Sequence, residues 1–211
     1  MGQAGNMTAP IAKAGKLTQI PLARGFVTVV ASTLVLLVMC LIFAPSAVSY
    51  GGLAGSLPFA AVIAIVGLGQ MLVVQQGGFD LSLSGGVSLA VVLVTHLPSG
   101  DNAQLLPAVM IALCCAVAAG LANGFLVGVM RLNAIVATIG MNALLYGVVF
   151  AVSGGVPRTT TQLLAKIAGG KTLGIPHSVL FALAILAVVT IVMKKTAQGR
   201  RFEVIGANPL A

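Results

Sequence analysis

The chain has 211 residues, 59% of them hydrophobic and only 7% charged, whereas a soluble domain carries about 25% charged residues; a water-soluble fold is excluded. The 11 Lys and Arg against 3 Asp and Glu give a net charge of +8, but the bases sit between apolar runs, where they read as orientation signals and not as a nucleic-acid footprint. So few acids also leave little material for general acid-base catalysis, and no enzymatic role is expected.

Residues 1–24 are polar and Gly/Ala-rich, carry Lys13, Lys16 and Arg24, and read as a cytoplasmic tail without fixed structure. The apolar run 25–43 is longer than the about 7–15 residues of a signal-peptide core, so a retained signal-anchor span is expected. Breaking the remainder at prolines, glycine clusters and charges places further spans near 57–75, 81–97, 105–130, 132–152 and 178–193. The expected fold is all-α, a polytopic transmembrane helical bundle of about six spans, each needing about 20 apolar residues. The membrane domain covers 25–193, and 194–211 follows as a cytoplasmic segment. The third and last runs are short, and the third could be broken or re-entrant, a geometry tolerated only where it is buried in protein or lines a watery cavity.

Placing the N-terminus in the cytoplasm puts Lys13, Lys16, Arg24, Arg131, Lys194, Lys195, Arg200 and Arg201 inside, and Arg158, Lys166 and Lys171 in one long external loop. This partition satisfies the positive-inside rule and leaves both chain ends cytoplasmic. Cys40, Cys114 and Cys115 lie within apolar runs and pack as small hydrophobes.

The sharpest anomaly is the segment Gly77-Gly78-Phe79-Asp80-Leu81-Ser82-Leu83-Ser84-Gly85-Gly86, a glycine-rich, acid-bearing break between apolar runs. Asp80 could cap the helix that follows, or touch substrate or a coupled ion, and the two roles are compatible. Ser84, Ser88 and Thr95 recur downstream on helical spacing, and Thr138, Asn142 and Tyr146 lie four apart on one face of the fifth span. These stripes could wet a translocation path, although hydroxyls in membrane helices more often bond their own preceding turn or a neighbouring helix. Asn142 is the strongest single candidate, because its own helix cannot satisfy its carboxamide. The path candidates are therefore Asp80, Ser82, Ser84, Ser88, Asn123, Thr138 and Asn142.

Gly120, Gly124 and Gly128 form a small-residue ladder suited to close helix packing, with Asn123 beside it for an interhelical hydrogen bond. Ala165 to Thr172 superficially resembles a nucleotide-binding loop, but no buried strand leads into it and Pro176 follows too soon for the required helix. His96 and His177 have no second ligand at metal-binding spacing, so neither a metal nor a cofactor is expected.

Three stretches resemble the ribose/xylose-type sugar ABC transporter permeases, bacterial inner-membrane proteins related to the branched-chain amino-acid permeases. They are GGFDLSLSGGVSLA from Gly77 to Ala90, GLANGFLVGVMRLNAIVATIG from Gly120 to Gly140, and GRRFEVIGANPLA from Gly199 to Ala211. Two departures are that Ser84 stands where glycine is common, and that Asn133 to Val136 lacks the proline and phenylalanine often found at that turn. The resemblance implies a permease without covalent chemistry, paired with a second permease subunit. It also implies an extracytoplasmic sugar-binding protein and a cytoplasmic ATP-binding subunit, docked on a coupling loop that includes Gly199, Arg200, Glu203, Gly206 and Asn208. Monosaccharide is the implied cargo, with another small polar solute, such as a branched-chain amino acid, as the alternative. Such permeases continue through several further spans, so a C-terminally truncated or inactive scaffold form is also an open expectation.

Overall fold

The computed structural model describes residues 24–207, and Asn208 and the tail 1–23 lie outside the described residues. The chain divides within one helix, between Ala54 and Gly55, into two units. The first contains α1 (Arg24–Phe43) and a short 3-10 turn over Pro45–Val48. It closes with the start of α2 (Tyr50–Gln75), where Ser49 acts as the cap: its Oγ accepts from the Gly52 N–H at 3.2 Å. Helix α2 therefore begins seven residues ahead of the break expected at 57. Pro58 lies inside it, a position membrane helices tolerate because local adjustments satisfy the freed carbonyl.

The second unit holds the rest of α2 and α3 (Leu83–His96), α4 (Leu105–Gly124), α5 (Ala134–Ser153), α6 (Gln162–Gly169), α7 (His177–Lys195) and α8 (Ala197–Ala207). Between α6 and α7 a two-stranded antiparallel ladder pairs β1 (Lys171–Thr172) with β2 (Ile175–Pro176). Five helices among the described residues are long and apolar enough to cross a membrane: 25–43, 50–75, 102–129, 134–153 and 177–195. Helix α3 has 14 residues, about 21 Å of rise, and is too short for the about 30 Å hydrocarbon core. The last span is full-length and not short as expected, because α7 continues through Lys194 and Lys195.

The short helix is the best packed. Gly85, Leu89, Leu93 and His96 put one face of α3 into the protein, where Leu89 and Leu93 join Ala112 of α4 and Leu145 of α5 in the core. By contrast, none of the span windows of α1 and α7 is buried, and their apolar side chains face outward, as suits a lipid solvent.

Helix α4 ends in a π-helical turn over Phe125–Val129, with the Met130 N–H donating to the Phe125 carbonyl at 3.0 Å. Asn133 then starts α5 by accepting from the Ile135 N–H at 2.9 Å, so a capping asparagine serves where the family pattern suggested proline. At the other end, Gly154 closes α5 with φ 59° and donates to the Phe150 carbonyl.

The two ends of this unit differ in charge. Gln76 at the end of α2 donates through Nε2 to the Phe202 carbonyl of α8 at 2.9 Å, and Gly78 lies against Ala134 at the start of α5. Arg131, Lys194, Lys195, Arg200 and Arg201 belong to the segments that meet here. At the opposite end His96 bonds the Val156 carbonyl at 2.9 Å, Arg158 donates to Ser99, and the Leu163 N–H donates to Asn102 at 2.9 Å. Lys166 and Lys171 lie in that second group of segments.

The contact between α3 and α5 depends on Gly85, where an added Cβ would sit 2.7 Å from Asn142 Oδ1 and 3.0 Å from Leu145 Cβ. Gly86, one position on, has nothing within 4 Å of the same point. Gly85→Ala is therefore expected to destabilise the protein by about 1–3 kcal/mol through overpacking, whereas Gly86→Ala should be neutral or stabilising by up to about 1 kcal/mol. Thermal unfolding of both variants in detergent checks this, and equal effects would contradict the packing described.

Candidate functional site

The acid-bearing break between α2 and α3 has no regular secondary structure, so its polar groups need partners beyond a helical ladder. Those partners come from three places. Within the loop, Asp80 Oδ1 accepts from the Ser82 N–H at 2.8 Å and from the Ser82 hydroxyl at 2.6 Å. From α4, Asn123 donates through Nδ2 to Ser82 Oγ at 2.8 Å. From α5, Thr138 Oγ1 accepts from the Leu81 N–H at 3.1 Å, and Asn142 Oδ1 accepts from the Gly85 N–H at 2.9 Å and the Ser84 hydroxyl at 3.1 Å.

The direction of this relay fixes the carboxamide of Asn123. The proton of Ser82 Oγ goes to Asp80, so Ser82 can only accept from Asn123, which must present its NH2 group. Asn123 Oδ1 is then left buried without a hydrogen-bond partner. Ser82, Asn123 and Thr138 are all buried polar residues, while Asp80, Ser88 and Asn142 are half-buried and Ser84 is exposed.

Capping differs from the expectation in one respect. Asp80 takes the N–H of Ser82, the residue that precedes α3, and no N–H of the helix itself. A free donor in the first turn, Gly85 N–H, is satisfied across the bundle by Asn142. Asn142 thus acts as a cap supplied by another helix, a role visible only once α3 and α5 are adjacent.

Two cavities open beside Asp80. One, of about 320 Å³, lies between the end of α2, α4 and α5 and is lined by Gln76, Asp80, Asn123 and Thr138 among apolar neighbours. The other, of about 490 Å³, is lined by Asp80, Ser84, Ser88 and Tyr146 with Val66, Leu81, Leu83 and Val87. Tyr146 reaches the second cavity because its hydroxyl lies beside those of Ser88 and Ser84.

The other marked residues separate clearly. Thr95 turns back on its own helix, donating to the Val91 carbonyl at 2.9 Å. Gly120, Gly124 and Gly128 are exposed, and an added Cβ at each would meet nothing within 4 Å, so the ladder makes no close contact among the described residues. The loop resembling a nucleotide site runs from helix α6 into strand β1, the reverse of the strand-to-helix order that cradles phosphate. Histidines 96 and 177 bond the carbonyls of Val156 and Ile167, and no cluster of metal-binding side chains occurs among the described residues.

After α7, Thr196 caps α8 by accepting from the Gly199 N–H at 3.1 Å. A Cβ at Gly199 would strike the Met193 backbone, and one at Gly206 would strike the Gln75 carbonyl. Helix α8 is therefore held tightly against the ends of α7 and α2. Arg200, Arg201, Val204 and Ile205 line its open hollow, and Glu203 is exposed.

Apolar helices with their polar groups gathered around one broken segment define a multi-pass membrane protein. The chain belongs to the family described as branched-chain amino acid transport system / permease component, which matches residues 52–211. It is similar to a probable ABC transporter permease protein of Sinorhizobium fredii, 32% identical over 186 residues, 86% of this chain and 55% of that protein. It is also similar to the galactofuranose transporter permease protein of Escherichia coli, 32% identical over 151 residues, 71% of this chain and 44% of the relative. The ribose import permease protein of Escherichia coli is 28% identical over 183 residues, 84% of this chain and 57% of its own length. The chain spans about half the length of these relatives. No solved structure matches it.

Removing the carboxamide of Asn142 leaves the buried Gly85 N–H unpaired. Asn142→Ala should therefore lower unfolding free energy in detergent by about 1–3 kcal/mol. Ser84→Ala, which removes one exposed donor to the same oxygen, should cost less than about 1 kcal/mol. A loss for Ser84→Ala equal to that for Asn142→Ala would contradict the capping role.

Proposed function

We propose that this chain is a membrane-spanning permease subunit of an ATP-driven importer, translocating a monosaccharide across the bacterial inner membrane. The observation that carries the reading is the family match over 52–211, among relatives named for galactofuranose, fructose, ribose and galactose. It performs no covalent chemistry. ATP hydrolysis belongs to a separate cytoplasmic subunit, and an extracytoplasmic sugar-binding protein delivers the cargo.

Several features support the assignment of partners. Helix α8 presents two arginines beside the exposed apolar side chains of Val204 and Ile205, a surface suited to an ATP-binding subunit, while its inner side is locked to α2 through Gln76 and Gly206. Movement of α8 would thus act directly on the segment leading into Asp80. The open face of Gly120, Gly124 and Gly128 suits close approach by a helix of a second permease subunit. With Lys194, Lys195, Arg200 and Arg201 cytoplasmic, the opposite end carrying Arg158, Lys166 and Lys171 faces the binding protein.

Of the path candidates, Ser82, Asn123, Thr138 and Asn142 tie the break to its neighbours, and Asp80 is the residue shared by both cavities. The family description favours branched-chain amino acids as the second reading. Proteoliposomes containing the chain, its ATP-binding subunit and its binding protein decide between them. Sugar-stimulated hydrolysis with inward accumulation of the sugar is expected; uptake of leucine alone selects the second reading, and no uptake of either identifies an inactive or scaffold form.

In the same assay Asp80→Asn should lower uptake about tenfold or more, because it replaces the carboxyl group that accepts both Ser82 hydrogen bonds with a carboxamide; an unchanged rate would remove Asp80 from the mechanism. Gly206→Val should separate hydrolysis from uptake by forcing α8 off the end of α2, so that ATP is still consumed while less sugar enters. Tight coupling in this variant would contradict the role of α8.

A further inference from the structure

We infer that the cavity lined by Asp80, Ser84, Ser88 and Tyr146 is a subsite for a neutral polyol, built to accept uncharged, hydroxyl-rich solutes and to reject zwitterions and sugar acids. This rests on the transport reading above and deepens it by assigning the chemistry that selects the cargo.

The hydrogen-bond inventory separates these four residues from the rest of the polar segment. Ser82 Oγ accepts from Asn123 of α4, Thr138 Oγ1 from the Leu81 N–H, and Asn142 Oδ1 from the Gly85 N–H, so these acceptors are taken by the protein's own contacts. Asp80 uses only Oδ1 for Ser82, and among the described residues Oδ2 receives no hydrogen bond. Ser84 gives its proton to Asn142, and the Tyr146 hydroxyl lies beside those of Ser88 and Ser84, so the three form one hydroxyl cluster on the cavity wall. Tyr146 is 43% exposed and lines the cavity.

The cavity is therefore rich in acceptors, with one carboxylate and three hydroxyl oxygens. No Lys, Arg or His lines it. A solute with many O–H donors and no negative charge matches this set. An amino acid could place its ammonium at Asp80, but its carboxylate would lie close to that acid with no cation to pair it, and like charges repel. A sugar acid meets the same objection. Val66, Leu83 and Val87 supply apolar walls against which the C–H faces of a sugar ring can rest, and the volume of about 490 Å³ falls in the range of about 300–1,000 Å³ usual for small-molecule sites.

The test is uptake of D-ribose, D-galactose or D-fructose, whichever the wild type carries, by the full chain reconstituted with its two partners. Tyr146→Phe and Ser88→Ala should each lower uptake about 3- to 10-fold, the loss of one neutral hydrogen bond. Each should also weaken the preference for the sugar over an analogue lacking one hydroxyl, a change that a merely structural role would not produce. Tyr50→Phe, at the only other tyrosine, should leave both unchanged, and leucine and D-glucuronate should not compete. Ser88→Ala carries the test if Tyr146→Phe fails to fold. A wild type that carries no monosaccharide overturns the transport reading and the subsite with it. A wild type that carries sugar, with rate and selectivity unaltered in both variants or with leucine competing at the sugar's own concentration, overturns the subsite alone.

Discussion

The structure depends on satisfying backbone groups where the chain stops being helical inside an apolar bundle. An N–H or carbonyl left unpaired in such surroundings costs several kcal/mol, on the order of what a small domain has to spare. The break between α2 and α3 exposes such groups, and side chains of α4 and α5 meet the need. Thr138 takes the Leu81 N–H, Asn142 takes the Gly85 N–H, and Asn123 holds the serine that Asp80 binds. Satisfying the loop therefore docks three helices onto it, and α3 is held in place although it is too short to span the membrane.

Gly85 shows how tightly steric and polar requirements are joined. The absence of a side chain brings α3 within reach of Asn142, and the same close approach lets the carboxamide of Asn142 receive the Gly85 N–H. A methyl group there would disturb packing and capping together. The same logic operates at Gly206, where close contact with Gln75 lets α8 bear on the end of α2. These two glycine contacts bracket the segment 75–85, which carries Asp80.

Much of this was legible in advance, for local reasons. Apolar length marked the spans, and four-residue spacing marked Ser84 with Ser88 and Thr138 with Asn142 and Tyr146 as stripes, since a helix brings such positions to one face. Spacing says nothing about what faces the stripe. Thr95 continues the first stripe and yet bonds its own helix, while Ser84 and Ser88 of that stripe meet the second at Asn142 and Tyr146. The ladder at Gly120, Gly124 and Gly128 has the right spacing for packing, yet among the described residues nothing lies within 4 Å of a Cβ added at any of the three. The start of α2 was placed too late because Pro58 is a strong breaker in water, and a membrane helix can accommodate it.

Residence in the bilayer, the approximate position of the apolar runs and the partition of charge between the two ends were determined by the sequence itself, because each depends on the composition of a continuous stretch. The family resemblance was likewise readable from contiguous motifs. Tertiary structure alone decided that Asn142 caps a helix other than its own, that Asn123 presents its NH2 group to Ser82, and that Asp80 borders two cavities. Each of those depends on which helix lies opposite which, and on a separation of about 3 Å between hydrogen-bonding groups brought together by residues up to 57 positions apart.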